Sequence, residues 1–276
     1  MNFGIIIIGD EILSGKRSDK HLSKAIELLS ARGLQLAYAD YVGDEPERIT
    51  AVLTRAFASG DVVFSFGGIG ATPDDHTRQC AARALGRDME LHPHAKALIL
   101  ERMQDVAREQ GVPYEPDRDD NVHRLNMGVF PVGAHIIPNP FNKIAGFYCS
   151  RASVPPAAGE RGGIYFLPGF PVMAHPMMAW VLDTHFSHLF LREAWIEQSV
   201  IVFGAMEATL TPLMEAIERD HAVKVFSLPS VDHPEYGRHI ELGVKGDPQA
   251  VAPAYAAMLA GLKEFSVKLG PELVRS

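Results

Sequence analysis

The chain has 276 residues, 47 % of them hydrophobic and 22 % charged, which is globular composition with room for one large and one small domain. A net charge of −8 speaks against a general nucleic-acid or membrane-surface role, because both favour a basic face. It does not speak against a phosphate ligand, since backbone N–H groups, helix N-termini and metal ions hold phosphates without entering a charge count.

Cys80 and Cys149 are far apart and in no ligand-like spacing, so neither a disulfide framework nor a zinc site is expected, and a reducing compartment fits. The apolar run Ile5–Ile8 is too short and too acidic in its flank for a signal peptide, and no stretch approaches the roughly 20 apolar residues of a membrane span. The expectation is a cytoplasmic protein without membrane or nucleic-acid partners.

Phe3–Ile8, a continuous apolar run, predicts a strand buried on both faces. Leu22, Ala25, Ile26 and Leu29 recur at helical spacing, with Gly33 placed as a C-terminal cap. Leu34–Val42 reads as a second strand. Asp44 is a candidate N-cap, and Ile49, Val52, Leu53, Ala56 and Phe57 then form an amphipathic stripe. Asp61–Phe66 is a third strand, and the alternation implies a parallel sheet with helices on both faces. A glycine-rich loop and a helix to about Leu85 follow, then a longer helix over Ala95–Arg108. Residues 111–161 read as loops around short strands, Ile164–Leu167 as a strand, and the next segment as a helix to about Phe190. From residue 197 the pattern restarts as β-α-β-β-α, with strands at Ser199–Phe203, Val223–Leu228 and His239–Val244 and helices at Thr209–Arg219 and Pro248–Phe265. The expected domains are therefore 1–192, a three-layer α/β/α fold with a mostly parallel sheet, and 197–276, a small α+β layer, with the last few residues frayed.

The richest constellation is Phe66-Gly67-Gly68-Ile69-Gly70-Ala71-Thr72-Pro73-Asp74-Asp75-His76-Thr77, between a buried strand and a helix. In a parallel sheet that junction lies at the carboxyl edge, where ligands bind. Glycines let backbone N–H groups approach an anion, and the paired carboxylates Asp74 and Asp75 suit a divalent cation between protein and phosphate. A tight turn with one aspartate as helix cap is the plainer alternative. The glycine spacing matches neither the dinucleotide fingerprint nor a P-loop. Gly9-Asp10-Glu11 follows the first strand, so Asp10 is placed to face the glycine loop, or else to cap its own segment. Asn139-Pro140-Phe141-Asn142-Lys143 and Leu167-Pro168-Gly169-Phe170-Pro171 are further loops that place Asn139, Lys143 and Gly169 near a ligand or serve only as turns. His92-Pro93-His94 suits a helix entry better than a metal. His185 and His188 suit a helix face, His233, Glu235 and His239 a surface loop, and Met173, Met177 and Met178 core packing.

In order and approximate spacing, Gly9–Gly15, Gly67–Thr77, Phe130–Ala134, Asn139-Pro140 and Leu167–Pro171 resemble the motifs of CinA-type proteins, whose N-terminal domain is a MoaB/MogA-like molybdopterin-binding domain. The glycine loop is also similar to that of the molybdopterin adenylyltransferases, and residues 197–270 to the small domain that follows in CinA-type proteins. The family's C-terminal amidohydrolase domain finds no counterpart in these residues. The resemblance implies a site at the sheet's carboxyl edge. Gly67, Gly68, Gly70 and Thr72 match its ligand-cradling positions and Asp75 its essential aspartate. The residues themselves add Thr77, Asn139, Lys143 and Gly169 as expected ligand contacts, Asp10 and Asp74 as expected catalytic partners of Asp75, and Asp10, Glu11 and Asp75 as the expected holders of Mg²⁺, Mn²⁺ or Co²⁺. The resemblance further implies metal-dependent hydrolysis of ADP-ribose, with molybdopterin binding or adenylyl transfer as alternatives, and a homo-oligomer. The chain departs from the family pattern at Lys16–His21, which is shorter and lacks Asn-Thr-Asn, at Asn142-Lys143, and at Val172-Met173, where Ser-Glu is typical.

Overall fold

The structure is a computed structural model describing residues 2–152, 162–190 and 196–275. The chain divides into two compact units, up to Phe190 and from Leu191 onward. The expected boundary at 190–197 falls largely outside the described residues.

In the first unit, β1 (Phe3–Ile8) is buried at every position and runs into a single helical turn, α1 (Asp10–Leu13). Helix α2 (His21–Ser30) leads to β2 (Leu36–Val42), then α3 (Pro46–Ser59) to the wholly buried β3 (Val62–Phe66). After the glycine loop come α4 (Thr77–Leu85), β4 (Met89–Leu91) and α5 (Pro93–Gln110). The short helix α6 (Asp119–Arg124) precedes the short strands β5 (Val129–Pro131) and β6 (His135–Ile137). β7 (Gly146–Cys149) and β8 (Gly163–Leu167) lead into α7 (Pro171–His185), which stops short of Phe190 in a 3-10 turn.

The central sheet has the order β2-β1-β3-β8-β7-β6. Its first four strands are parallel, and β7 and β6 continue it antiparallel. Side-chain alternation divides the buried residues between two cores. Ile5 and Ile7 pack with Ala25 and Leu29 of α2 and with Met177, Met178 and Val181 of α7. Ile6 and Ile8 pack with Ile49, Leu53 and Phe57 of α3, with Ala81 of α4 and with Ala95 of α5. A continuous apolar strand covered by helices on both faces is the three-layer α/β/α fold expected from the sequence.

Two local expectations change. The N-cap of α3 is Glu45, and Asp44 turns its carboxylate elsewhere. The left-handed glycine after α2 is Gly33, but Ala31 holds the cap position.

In the second unit, β9 (Ile196–Phe203), α8 (Glu207–Asp220), β10 (Val223–His233), β11 (Gly237–Gly246), α9 (Pro248–Leu262) and β12 (Lys268–Arg275) form an antiparallel sheet of order β10-β11-β9-β12. Val200, Val202, Leu242 and Val244 pack against Leu210 of α8 and Val251 and Met258 of α9. Strand β12, absent from the β-α-β-β-α pattern read from the sequence, completes a split β-α-β arrangement and orders the chain to Arg275, where fraying of the last few residues was expected. Its Gly270-Pro271 pair breaks the strand pattern, and the register with β9 shifts there, as an edge strand tolerates. His239, expected in a surface loop, lies on β11 and is buried, its Nδ1 2.9 Å from the carbonyl of Gly237.

Candidate functional site

The carboxyl ends of β1 and β3 lie side by side, with Ile7 opposite Phe66, and the chain leaves them in different directions. Open parallel sheets bind ligands at such a switch point. Gly67 donates its N–H to the carbonyl of Leu167 at 3.0 Å, so the ends of β3 and β8 are joined. Its φ is 101°, and a Cβ there would strike the backbone carbonyl of Ile8. Three strand ends meet with no room for a side chain, which is why this position is glycine.

The loop is then fastened piece by piece. Gly68, at φ 67°, has its carbonyl bonded by the Thr77 N–H at 3.0 Å, and Thr77 Oγ1 donates to the carbonyl of Gly67 at 3.1 Å. Ile69 is buried in the core beside α3 and α4. Arg78, only 4 % exposed, donates to the carbonyls of Gly70 at 2.6 Å and Val129 at 3.3 Å, and also to that of Asn126. Burial pulls the Arg78 guanidinium below its ordinary pKa, with Asp75 opposing the shift. Sequence reading passed over Arg78, because a cation at the start of a helix gives no sign that loop carbonyls surround it.

This fastening leaves the N–H groups of Gly68, Ile69, Gly70 and Ala71 without hydrogen bonds among the described residues. They border a cleft of about 750 Å³ that also takes in Thr72, Asn142, Gly169 and Phe170. Four carboxylates line it, those of Glu11, Asp44, Asp74 and Asp75, against the cations of Lys16 and Arg17. Partial burial raises the Asp44 pKa, and the charges of Asp10, Glu11 and Asp74 push it further, against the hydrogen bond from the Asp10 N–H. That corner of the cleft is therefore already strongly negative.

The structure brings Gly67, Gly68, Gly70, Thr72, Gly169, Glu11, Asp74 and Asp75 to one cavity and leaves the other expected residues outside it. Thr77 is buried as the loop's fastener. Asn139 is buried too, and its side chain closes its own turn by bonding Asn142 Oδ1, the Ile144 carbonyl and the Phe141 N–H. Lys143 turns away to Glu101 and Asp105, each at 2.6 Å. Asp10 does not face the glycine loop. It forms a reciprocal clasp with Asp44, the Asp10 N–H to Asp44 Oδ2 at 2.9 Å and the Asp44 N–H to Asp10 Oδ1 at 3.2 Å.

The expected metal set of Asp10, Glu11 and Asp75 is not assembled. Asp75 Oδ2 accepts from the Thr72 N–H at 2.8 Å and from the Thr72 hydroxyl, and the Asp10 carboxylate serves the Asp44 N–H. Among the described residues no group of three His, Cys, Asp or Glu side chains is arranged to hold a metal ion. Protein side chains alone therefore form no preformed cation cage here. The His92-Pro93-His94 pair is likewise a helix entry, His92 accepting weakly from the Ala95 N–H at 3.4 Å.

The family described as "Probable molybdopterin binding domain" matches residues 4–188. The chain belongs to that family. A CinA-like protein of Citrifermentans bemidjiense is 29 % identical over 217 residues, covering 78 % of this chain and 47 % of the relative. One of Geotalea uraniireducens is 27 % identical over 252 residues, covering 91 % of this chain and 55 % of the relative. The chain thus spans about half the length of these relatives. The crystal structure of CinA from Thermoplasma acidophilum, a protein of unknown function, covers 66 % of this chain and 97 % of its own with TM-score 0.52 and 24 % identity, which establishes the shared fold. The first unit of this molybdopterin-binding-domain protein is thus similar in sequence to CinA-like proteins and shares its fold with CinA. Among its described residues no helix is long and apolar enough to cross a membrane.

Proposed function

We propose that the chain binds a phosphorylated pterin or nucleotide in the cleft at the carboxyl edge of its central sheet. The observation that carries this reading is the glycine loop, rigidly fastened yet presenting the free N–H groups of Gly68–Ala71 to a cavity of about 750 Å³. A cavity of that size suits a heterocycle with a phosphorylated tail. The family match supports the ligand class. Calorimetric titration with a panel of pterin and nucleotide phosphates tests it. Saturable binding to one class that is unchanged by EDTA is expected, and no binding to any member would overturn the reading.

Hydrolysis of ADP-ribose is a second reading, favoured by the four carboxylates around the cleft. Its test is release of AMP from ADP-ribose by metal-stripped protein given Mg²⁺, Mn²⁺ or Co²⁺, with Asp75→Asn alongside. Metal-dependent release lost in the variant would establish it, and no release would leave the binding reading alone. Adenylyl transfer to molybdopterin would instead show pyrophosphate released from ATP. Assembly into a homo-oligomer belongs with the same proposal and is checked by light scattering.

A further inference from the structure

The cleft has a side pocket of about 420 Å³, continuous with it through Ile8, Glu11, Arg17, Gly169 and Phe170. Its floor is apolar and aromatic, built from Ile7, Ile12, Phe66, Pro171 and the buried ring of His21. That ring stacks on Phe66 at 4.5 Å, with its Nε2 3.2 Å from the Gly169 carbonyl. Burial holds His21 below the ordinary histidine pKa, so the floor is uncharged near neutrality. The rim carries Arg17 and Lys20 with the Glu11 carboxylate between the two cavities, and Lys16 stands next along the main cleft.

These three cations are largely uncommitted. Lys16 and Lys20 enter no ion pair among the described residues, and Arg17 stands 3.9 Å from Glu11 with its side chain 67 % exposed. The neighbouring carboxylate, Asp19, is spent inward. It accepts from the N–H groups of His21 at 2.8 Å and Leu22 at 3.0 Å and from the Tyr41 hydroxyl at 2.8 Å. The site therefore has two poles. At the glycine loop, free N–H donors stand beside the carboxylates of Asp44, Asp74 and Asp75, while Glu11 lies between the poles, 3.9 Å from Arg17. Mixed donors and acceptors match the edge of a heterocycle, whereas a phosphate offers only acceptors and would be repelled by carboxylates. At Lys16–Lys20 the charge balance is reversed.

We infer that the ligand's phosphate is gripped by Lys16, Arg17 and Lys20 along the side pocket, while the glycine loop and its carboxylates read the ring. This rests on the binding reading proposed above and reverses the placement of the phosphate expected from the sequence. It also gives a use to the segment where the chain departs from the CinA-type pattern.

The test compares ligands that differ only in phosphate: GDP with guanosine, ADP with adenosine, and 6-hydroxymethylpterin diphosphate with 6-hydroxymethylpterin. Affinities are measured for the wild type, for Arg17→Ala/Lys20→Ala and for Asp44→Asn/Asp74→Asn. For whichever ring the wild type accepts, Arg17→Ala/Lys20→Ala is expected to weaken the phosphorylated member by about tenfold or more and leave the other unchanged. Its phosphate preference should also lose its dependence on ionic strength. Asp44→Asn/Asp74→Asn should weaken both members of the pair alike. The inference is overturned if the phosphate preference survives Arg17→Ala/Lys20→Ala, or if Asp44→Asn/Asp74→Asn selectively strengthens the phosphorylated member, which would return the phosphate to the loop. If the wild type binds no ring in either form, the binding reading falls and takes the inference with it.

Discussion

Two neighbouring strands, β3 and β8, end at the same edge of the sheet, and both pass into helices through glycine, yet the two exits are held by different means. The β3 exit is fixed by backbone: Gly67 lies in the left-handed region, against the Ile8 carbonyl, and is bonded to Leu167. The β8 exit is held by a side chain, His21, whose ring nitrogen meets the Gly169 carbonyl. Gly169 has no positive φ, and a Cβ there would meet only the Cα of Gly67 at 3.4 Å, an ordinary contact. Apparently equivalent glycines therefore carry different constraints. One admits no side chain, and the other is glycine without a steric reason in the free protein.

Substitution breaks the comparison most sharply at Gly67. Gly67→Ala combines a strained φ with a backbone collision and is expected to cost about 3 kcal/mol, read as a lowered urea midpoint. Arg78→Met comes next, at about 2 kcal/mol, because the carbonyls of Gly70, Asn126 and Val129 lose a charged donor in a buried setting. Thr77→Val removes a buried hydroxyl bond to the Gly67 carbonyl and should cost about 1 kcal/mol.

Acid should separate the two exits by a smaller effect. Burial lowers the pKa of His21, and of His175 whose ring meets it edge-on at 5.3 Å, below the ordinary 6.5. The unfolded chain then binds more protons than the folded one just below pH 6.5, so stability present above that value is lost as pH falls toward the folded pKa. Unfolding free energies measured across this window should slope downward toward acid, and His21→Phe should flatten the slope. The smallest effect is expected at Gly169→Ala, below about 0.5 kcal/mol, and a large loss there would erase the distinction.

The parallel core was legible because its signals are local and redundant. Phe3–Ile8 and Val62–Phe66 are unbroken apolar runs, and the Ile49–Phe57 stripe can only be a helix buried on one face. Strand β12 was not, since an edge strand interrupted by Gly270-Pro271 owes its conformation to pairing with β9 and not to its own pattern. The site was legible as a loop but not as a set of directions. Spacing placed Asp10, Asn139, Lys143 and Thr77 near the right edge of the sheet. Their side chains are turned away by partners that spacing cannot reveal: Asp44, Asn142, Glu101 with Asp105, and the Gly67 carbonyl. Asp44 was misread for the same reason, because an aspartate before a helix looks like a cap whether or not it caps.

The pairing of β3 with β8 also sets when the cleft comes into being. Val62 meets Gly163 and Phe66 meets Leu167, so the open edge of β3 waits for a segment made long after it. Loop closure over such a span is slow, and β7 has no place in the sheet until β8 has docked. A chain still missing that strand has the glycine loop but not the Leu167 carbonyl that anchors it. The cleft is thus complete only once β8 is paired with β3, so its formation belongs to the long-range part of folding.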